Sequence, residues 1–219
     1  MNRTMSESSA SDGIAFSETM RGPFALGETD PARGAAARRT GTPLTMRVTI
    51  TIADVAAFAR DRSHTAQLGG VVTWAPLGQP LRAEHGVLRL FAPNDAGTSR
   101  VMYYGLRFTH GGRAHYLVGV KHVLGFAISR MWRETTTLFT RLHDGADESA
   151  PVIGAGILRL GPLDLLRTLP TMRPTPPAGA MRGAASLARF GEFFVGQLWD
   201  SYVVHRPVAR ILAPDAQHV

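Results

Sequence analysis

The chain has 219 residues, which is enough for one substantial core and short for two domains with separate cores. Hydrophobic residues make up 44% and charged residues 19%, which excludes a wholly disordered chain, while 23 glycines and 14 prolines indicate many turns. The formal charge is +7, and Lys121 is the only lysine among 24 lysines and arginines. The arginines are dispersed and form no basic helix or aromatic-flanked cluster, which argues against nucleic-acid binding.

Cysteine is absent, so neither a disulfide nor a cysteine-metal site is possible. No apolar run reaches the roughly 20 residues that span a bilayer as a helix. The polar N-terminus also lacks the apolar segment of a secretory signal. We therefore expect a cytoplasmic protein without a transmembrane segment, and peripheral membrane contact is left open.

The N-terminal region is expected to lack regular structure. Residues 1–13 are rich in Ser and small polar residues, which predicts a disordered tail. Residues 14–43 contain Gly and Pro throughout and a few apolar anchors. This segment is predicted to be an irregular arm that packs on the body of the protein.

Residues 44–161 carry the pattern of an antiparallel β-barrel. In LTMRVTITI, from Leu44 to Ile52, apolar residues alternate with Thr and Arg, which is typical of a half-buried strand. Asp54 then provides an N-cap for a short helix. The six later strand-like stretches are TAQLGGVVTWAP, LRAEHGVLRLFA, SRVMYYGLRFTH, RAHYLVGVKHV, RETTTLFTRL and VIGAGILRLG. Seven evenly spaced strands with hairpin signals predict an antiparallel barrel, lipocalin-like, with a sandwich as the alternative.

The C-terminal third changes to helical patterns in residues 162–204. GPLDLLRTLPTMR predicts a short helix with Pro162 in its first turn, followed by a linker. AASLARFGEFFVGQLWDSYV places Leu187, Phe190, Phe194 and Leu198 on one stripe, which predicts an amphipathic closing helix. Residues 205–219 show no periodicity and are expected to be a tail.

Familiar enzyme signatures are missing from the sequence. There is no P-loop, no G-x-S-x-G elbow and no G-x-G-x-x-G after a strand. His110 and His115 flank a predicted turn, but their spacing favours a solvated hairpin over a metal site. We therefore expect neither a cofactor nor a metal ion.

Polar residues inside the predicted strands are the remaining candidates for a site. Lys121 shares one strand face with His115, Leu117 and Gly119. This face either points to solvent or lines the interior, where an ammonium needs a carboxylate such as Glu134 or Glu18. Our hypothesis for an accessible lumen pairs Lys121 with Glu134.

The stretch MWRETTTLFTRL, from Met131 to Leu142, is predicted to be a strand with polar groups on both faces. Such a strand fits either the wall of a ligand-holding lumen or an edge that faces solvent. The candidate ligand-binding residues are Trp132, Thr136, Tyr104 and Tyr116, although Trp132 has structural packing as its alternative. The candidate catalytic residues of an acid–base enzyme are Lys121, Glu134 and Glu18, with Arg21 as anion stabiliser.

One family resemblance covers most of the chain, from Gly13 to Val203. It is carried by GIAFSETMRGPFALGETDP, GTPLTMRVTITIADVAAF, GVKHVLGFAISRMWRETTTLFTRL and GILRLGPLDLLRTLPTMR, followed by ARFGEFFVGQLWDSYV. These blocks resemble the non-flavin middle segment of actinobacterial-type fusion proteins that join a cholesterol-oxidase-like GMC oxidoreductase module to an α/β-hydrolase module. The resemblance implies proximity to sterol or lipid chemistry. It implies no flavin site, because the glycine fingerprint of a dinucleotide-binding βαβ unit is missing.

The leading expectation is an accessory or ligand-binding β-barrel protein for a sterol-like or other lipid ligand. It would lack its own flavin and would dock on a GMC oxidoreductase or an α/β-hydrolase. A barrel interior is a common apolar ligand site. The alternatives are a cofactor-independent enzyme that uses acid–base residues in the lumen, and a structural interaction module.

Overall fold

The computed structural model describes residues 12–37, 42–93, 99–124, 133–161, 169–175 and 180–200. The strands are β1 Gly13–Leu26, β2 Thr42–Ile52, β3 Thr65–Thr73, β4 Leu81–Pro93, β5 Arg100–His110, β6 Arg113–Val123, β7 Thr137–His143, β8 Val152–Arg159 and β9 Arg173–Thr175. The helices are α1 Pro31–Ala36, α2 Val55–Arg60 and α3 Ala180–Trp199. Short 3₁₀ turns occupy Ala75–Leu77 and Leu169–Thr171.

The first eight strands form a closed antiparallel β-barrel. From β2 to β8 each strand pairs with the next one along the chain, and β1 completes the ring by pairing with both β2 and β8. The short strand β9 adds to the beginning of β1. Closure gives most backbone groups of the ring a partner and leaves little exposed sheet edge. The predicted mainly β, antiparallel barrel is confirmed, and the sandwich alternative is excluded.

The segment expected to be an irregular arm instead begins with the strand β1. Along β1 the side chains of Ile14, Phe16, Met20 and Phe24 are buried at alternate positions and face the barrel interior. Glu18 occupies the remaining position of this alternation between Phe16 and Met20. The arm is therefore a full wall of the barrel.

Gly and Pro within β1 explain why its sequence does not look like a strand. At Gly22 an added Cβ would lie only 2.0 Å from the carbonyl oxygen of Ile157, so β1 and β8 approach too closely there for a side chain. Pro23 lacks a backbone N–H and is ordinarily found at strand edges or irregularities. Gly22 therefore permits the close contact of β1 with β8, which the sequence does not reveal.

Most other expected elements within the described residues are confirmed, with two differences. β7 begins at Thr137, because residues 133–136 form a helical turn. The end of the predicted helix in residues 161–173 is wrong, because Leu169–Thr171 forms a 3₁₀ turn and the strand β9 begins at Arg173 and runs into the expected linker. Residues 1–11, 162–168 and 201–219 lie outside the described residues, and they include most of the expected N-terminal tail, the first part of the helix predicted around Pro162 and the final tail.

Asp54 caps α2 as expected, because its carboxylate accepts a hydrogen bond from the backbone N–H of Ala57 at 2.8 Å. We expect Asp54→Ala to lower the free energy of unfolding by about 0.5–2 kcal/mol. Urea denaturation would measure this loss. Asp54→Asn retains a capping oxygen and should keep most of the stability, so an equal loss in both variants would contradict the capping role.

The helix α3 closes one end of the barrel with aromatic side chains. Phe190 is buried, and its ring lies 5.5 Å from that of Phe16 on β1. The ring of Phe194 lies 5.4 Å from that of Phe91 on β4. Other partly buried residues that pack against the core from α3 are Leu187, Phe193 and Leu198. The predicted apolar stripe is therefore confirmed, with Phe193 in addition.

No helix within the described ranges is long and apolar enough to cross a membrane.

Candidate functional site

Three polar side chains meet inside the barrel, each from a different strand. Glu18 comes from β1, Tyr104 from β5 and Lys121 from β6. β5 and β6 are paired so that Tyr104 lies opposite Gly119 and Lys121 lies opposite Met102. We call Glu18, Tyr104 and Lys121 the interior polar cluster. The surrounding interior positions are almost all apolar.

Hydrogen bonds connect the interior polar cluster in one chain. The Lys121 Nζ donates to the Tyr104 Oη at 2.9 Å, and this hydroxyl donates to the Glu18 Oε2 at 3.1 Å. The Lys121 Nζ also lies 3.7 Å from the same Glu18 oxygen. The Lys121 side chain is 2% exposed and the Glu18 side chain 14% exposed. The cluster is therefore a buried ion pair joined by a phenol, and it reaches solvent at Glu18.

Burial changes the proton affinities within the cluster. Loss of solvation lowers the pKa of Lys121, and the Glu18 carboxylate opposes this effect in part. Burial raises the pKa of Tyr104 well above its usual range, and the Glu18 charge and hydrogen bond act in the same direction. The phenol therefore remains a proton donor at neutral pH, next to an amine that releases its proton more readily than an ordinary lysine. This arrangement can bind a polar group or transfer protons.

A seam in the barrel wall lies at Glu18. On the edge of β1 that faces β8 and β9, Gly13–Ala15 pair with β9, and pairing with β8 begins only at Arg21. Residues 16–20 have no strand partner on this edge within the described part of the chain. The backbone N–H of Ser17 instead donates to the Thr171 Oγ1 at 2.9 Å. The partial exposure of Glu18 coincides with this seam.

The cluster lies near the end of the barrel that α3 closes. Glu18 is the next inward-facing residue after Phe16, whose ring contacts Phe190 of α3. On β6, Val123 is the only inward-facing residue after Lys121, and the strand ends there. We call Phe16, Phe58, Phe91 and the Phe rings of α3 that they meet the aromatic layer beneath α3. The interior polar cluster, with its amine, carboxylate and hydroxyl, therefore lies near this layer.

The expected pairing of Lys121 with Glu134 is corrected by the structure. The partner of Lys121 is Glu18, the other carboxylate considered from the sequence. The Glu134 carboxylate accepts a hydrogen bond from the backbone N–H of Leu124 at 2.8 Å. The physical reason is that Glu134 lies in the helical turn before β7, where the two-residue alternation of a strand does not apply.

Two other candidates lie on the outside of the barrel. Arg21 follows Glu18 by three residues, so strand alternation puts it on the opposite face, where it is exposed. It is therefore not positioned as an anion stabiliser for the cluster. Tyr116 likewise faces outward from β6, and its hydroxyl lies 3.1 Å from that of Tyr103. It is not a lumen residue.

Thr136 and Trp132, the two remaining candidates, are not part of the interior polar cluster in the described residues. The Thr136 side chain is buried, and the Thr136 carbonyl accepts a hydrogen bond from the backbone N–H of Leu160 at 2.9 Å. Trp132 lies outside the described residues. The structure therefore combines Lys121 and Glu18, expected as catalytic candidates, with Tyr104, expected as a ligand contact.

The histidines at the β5–β6 hairpin do not form a metal centre. The rings of His110 and His115 have centroids 6.2 Å apart, and the His115 Nδ1 lies 3.6 Å from the Asp144 Oδ1. Among the described residues, no group of three or more His, Cys, Asp or Glu side chains could hold a metal ion.

A separate groove of about 880 Å³ lies on the outer face of β2, β3 and β4. The register of β3 with β4 shifts between Leu68 and Gly70, and Gly69 adds no side chain there. Polar residues lining the groove include Thr49, Thr51, Gln67, Arg82 and Glu84. The barrel wall separates this groove from the interior polar cluster.

Comparisons with known proteins give no assignment, since no family model, no curated protein and no solved structure matches the chain. The functional argument therefore rests on the barrel and its interior polar cluster.

Proposed function

We propose that this protein is a ligand-binding β-barrel whose interior polar cluster holds the polar end of a small, largely apolar molecule. The observation that carries the proposal is the hydrogen-bonded chain of Lys121, Tyr104 and Glu18 within a mostly apolar barrel interior. A sterol-like or other lipid molecule with one hydroxyl or carbonyl group has this combination of polar and apolar parts.

The energetics of the cluster support a functional role for it. Burying two opposite charges costs desolvation energy, and apolar residues of similar size are often as stable or more stable at such positions. Perturbed titratable groups that have specific partners are also concentrated at functional sites. On β1, Glu18 is the inward-facing position next to Phe16, whose ring contacts Phe190 of α3, and the cluster reaches solvent at Glu18. A ligand there would meet both polar and apolar surfaces.

A cofactor-independent acid–base enzyme is the second candidate function. It is favoured by the opposite directions of the two pKa changes, since burial lowers that of Lys121 and raises that of Tyr104. A base and an acid held 2.9 Å apart can move a proton to and from one bound group. The same site would then bind the ligand and change it.

The kind of protein partner that we propose is based on the sequence resemblance alone. We propose a GMC oxidoreductase or an α/β-hydrolase that works on sterols or other lipids, with the barrel as an accessory protein without its own flavin. The proposed location is the cytoplasm, with membrane contact limited to the periphery. A scaffolding module without a ligand is the competing account.

Native mass spectrometry of the full chain tests the binding function. Protein purified from its source should retain a lipid, and stripped protein should take up one molecule of cholesterol or of hexadecanol delivered from cyclodextrin. The double variant Glu18→Leu/Lys121→Met, which keeps the interior free of unpaired charge, should bind at least about tenfold more weakly because charge-assisted hydrogen bonds are lost. Co-purifying protein would identify the partner.

Arg113→Met is the matched control, since it removes a surface cation whose side chain is 71% exposed. This variant should bind like the unmodified protein. Absence of any bound lipid, or equal affinity in the double variant, would overturn the proposed site and favour scaffolding.

A further inference from the structure

Lys121 is chemically unusual for this protein because every other basic side chain of the Lys and Arg type is an arginine. Arginine keeps its proton in proteins, whereas a buried lysine can lose its proton and act as a nucleophile. The chain thus has its one primary-amine side chain at a position that is 2% exposed, where a permanent cation would be most costly. A surface cation, or a cation that only pairs with Glu18, would not need to be a lysine rather than an arginine.

We propose that Lys121 forms a reversible imine with the carbonyl carbon of an apolar aldehyde or ketone bound in the barrel. This inference rests on the proposed ligand-binding function and adds the chemical class of the ligand. The cluster reaches solvent at Glu18, whose side chain is 14% exposed, and in this proposal the carbonyl ligand enters from that side.

The neighbouring residues supply the proton transfers that the reaction needs. The neutral Lys121 nitrogen attacks the carbonyl carbon, forming a C–N bond while the C=O π electrons move to the oxygen. The oxygen takes a proton from the Tyr104 hydroxyl, 2.9 Å from the Lys121 Nζ, and the nitrogen releases a proton to Glu18, 3.7 Å away. A carbinolamine results.

Loss of water completes the imine. Glu18 first passes its proton back to Tyr104, and Tyr104 gives it to the carbinolamine hydroxyl. The hydroxyl leaves as water while the nitrogen lone pair forms the C=N bond, and the remaining N–H proton goes to the Glu18 carboxylate. The proton on Glu18 returns to Tyr104 through their 3.1 Å hydrogen bond. The sum is amine plus carbonyl giving imine plus water, with no oxidation or reduction, and the reverse reaction releases the ligand.

Both hydrogen-bonding partners of Lys121 therefore have a role in the proposed chemistry. Burial lowers the pKa of Lys121, which increases the fraction of neutral amine that can attack. Tyr104 stays protonated because burial raises its pKa. The geometry thus provides a nucleophile, a proton donor and a proton acceptor at one point.

Reductive trapping with decanal is the direct experiment. The full-length protein is incubated with decanal and sodium cyanoborohydride, digested, and mapped by mass spectrometry. We expect a stable decyl adduct on the peptide containing Lys121, formed faster than the adduct on the N-terminal amine. Because Lys121 is the only lysine, these are the two primary amines to compare.

Two variants test the proposed roles of the residues. Lys121→Arg keeps a cation and should give no adduct at this position. Glu18→Gln keeps the size and one hydrogen-bonding oxygen but removes the proton acceptor. In buffer in which circular dichroism shows this variant to be folded, it should slow trapping at Lys121 at least about tenfold, even though it also lowers the pKa of the amine. Arg113→Gln, at a surface cation, should trap at the unmodified rate. Trapping at Lys121 that is slower than at the N-terminus, or unchanged by Glu18→Gln, would overturn the inference.

Decanol separates this inference from the proposed function. It has the same chain length but no carbonyl carbon to attack, and native mass spectrometry reports its binding. If decanol binds one-to-one and decanal is not trapped at Lys121, the imine is refuted while the binding function stands. If neither molecule binds, both proposals fail.

Discussion

Glu18→Gln is expected to lower the free energy of unfolding by about 3–5 kcal/mol, as breaking a buried ion pair typically does. The substitution leaves the Lys121 ammonium buried beside a neutral amide, so its desolvation is no longer offset by a nearby negative charge. Urea denaturation at neutral pH would measure the loss. Removing the amine as well, in Glu18→Gln/Lys121→Met, should recover part of the stability.

A double-mutant cycle isolates the interaction of the two residues. The surface pair Arg113–Asp144 is the matched control, since its atoms are only 2.7 Å apart but the Arg113 side chain is 71% exposed. We expect the control cycle to give less than about 1 kcal/mol, as exposed pairs do. A coupling between Glu18 and Lys121 that is equally small would contradict their burial as a pair.

Phe190→Ala should have a similarly large effect, lowering the free energy of unfolding by about 3–5 kcal/mol. Phe190 is the buried aromatic residue of α3, and its ring contacts those of Phe16, Phe58, Phe193 and Phe194. Its removal creates a cavity beneath the helix and deletes several ring contacts. Chemical denaturation would measure the loss.

Val195→Ala is the control within the same helix, because Val195 is 63% exposed. Its effect should stay within about 0.5 kcal/mol, as is usual for exposed positions. If Phe190→Ala were equally mild, α3 would not be packed on the barrel end in solution.

The alternation of apolar and polar residues predicted most strands of the barrel, because the direction of each side chain depends only on the local geometry of its strand. Strands such as β2 bury every second residue against one core, so their sequences show the period directly. β1 follows the same rule from Ile14 to Phe24, but Gly22 and Pro23 interrupt it. The need for Gly22 comes from the close approach of β8, which is more than a hundred residues away in sequence. A local pattern does not contain this information.

The candidate site was predictable only in part, for a related reason. Alternation showed that Lys121 shares a face with Leu117 and Gly119, but it does not distinguish the inside of a barrel from the outside. The choice between Glu18 and Glu134 depends on which strands are neighbours across the lumen. Once Gly13–Leu26 is recognised as a strand, Glu18 becomes the one charged residue on an otherwise apolar face, and this is the signal that identifies it.

Selective ¹⁵N-lysine labelling tests the central claim most directly, because the protein then gives a single lysine side-chain signal in an NMR spectrum. The account predicts that this signal titrates with a pKa below the usual lysine value of 10.5, because burial disfavours the ammonium. Glu18→Gln should lower that pKa further, since the opposing negative charge is gone. A midpoint at the usual lysine value that does not respond to Glu18→Gln would contradict the interior polar cluster.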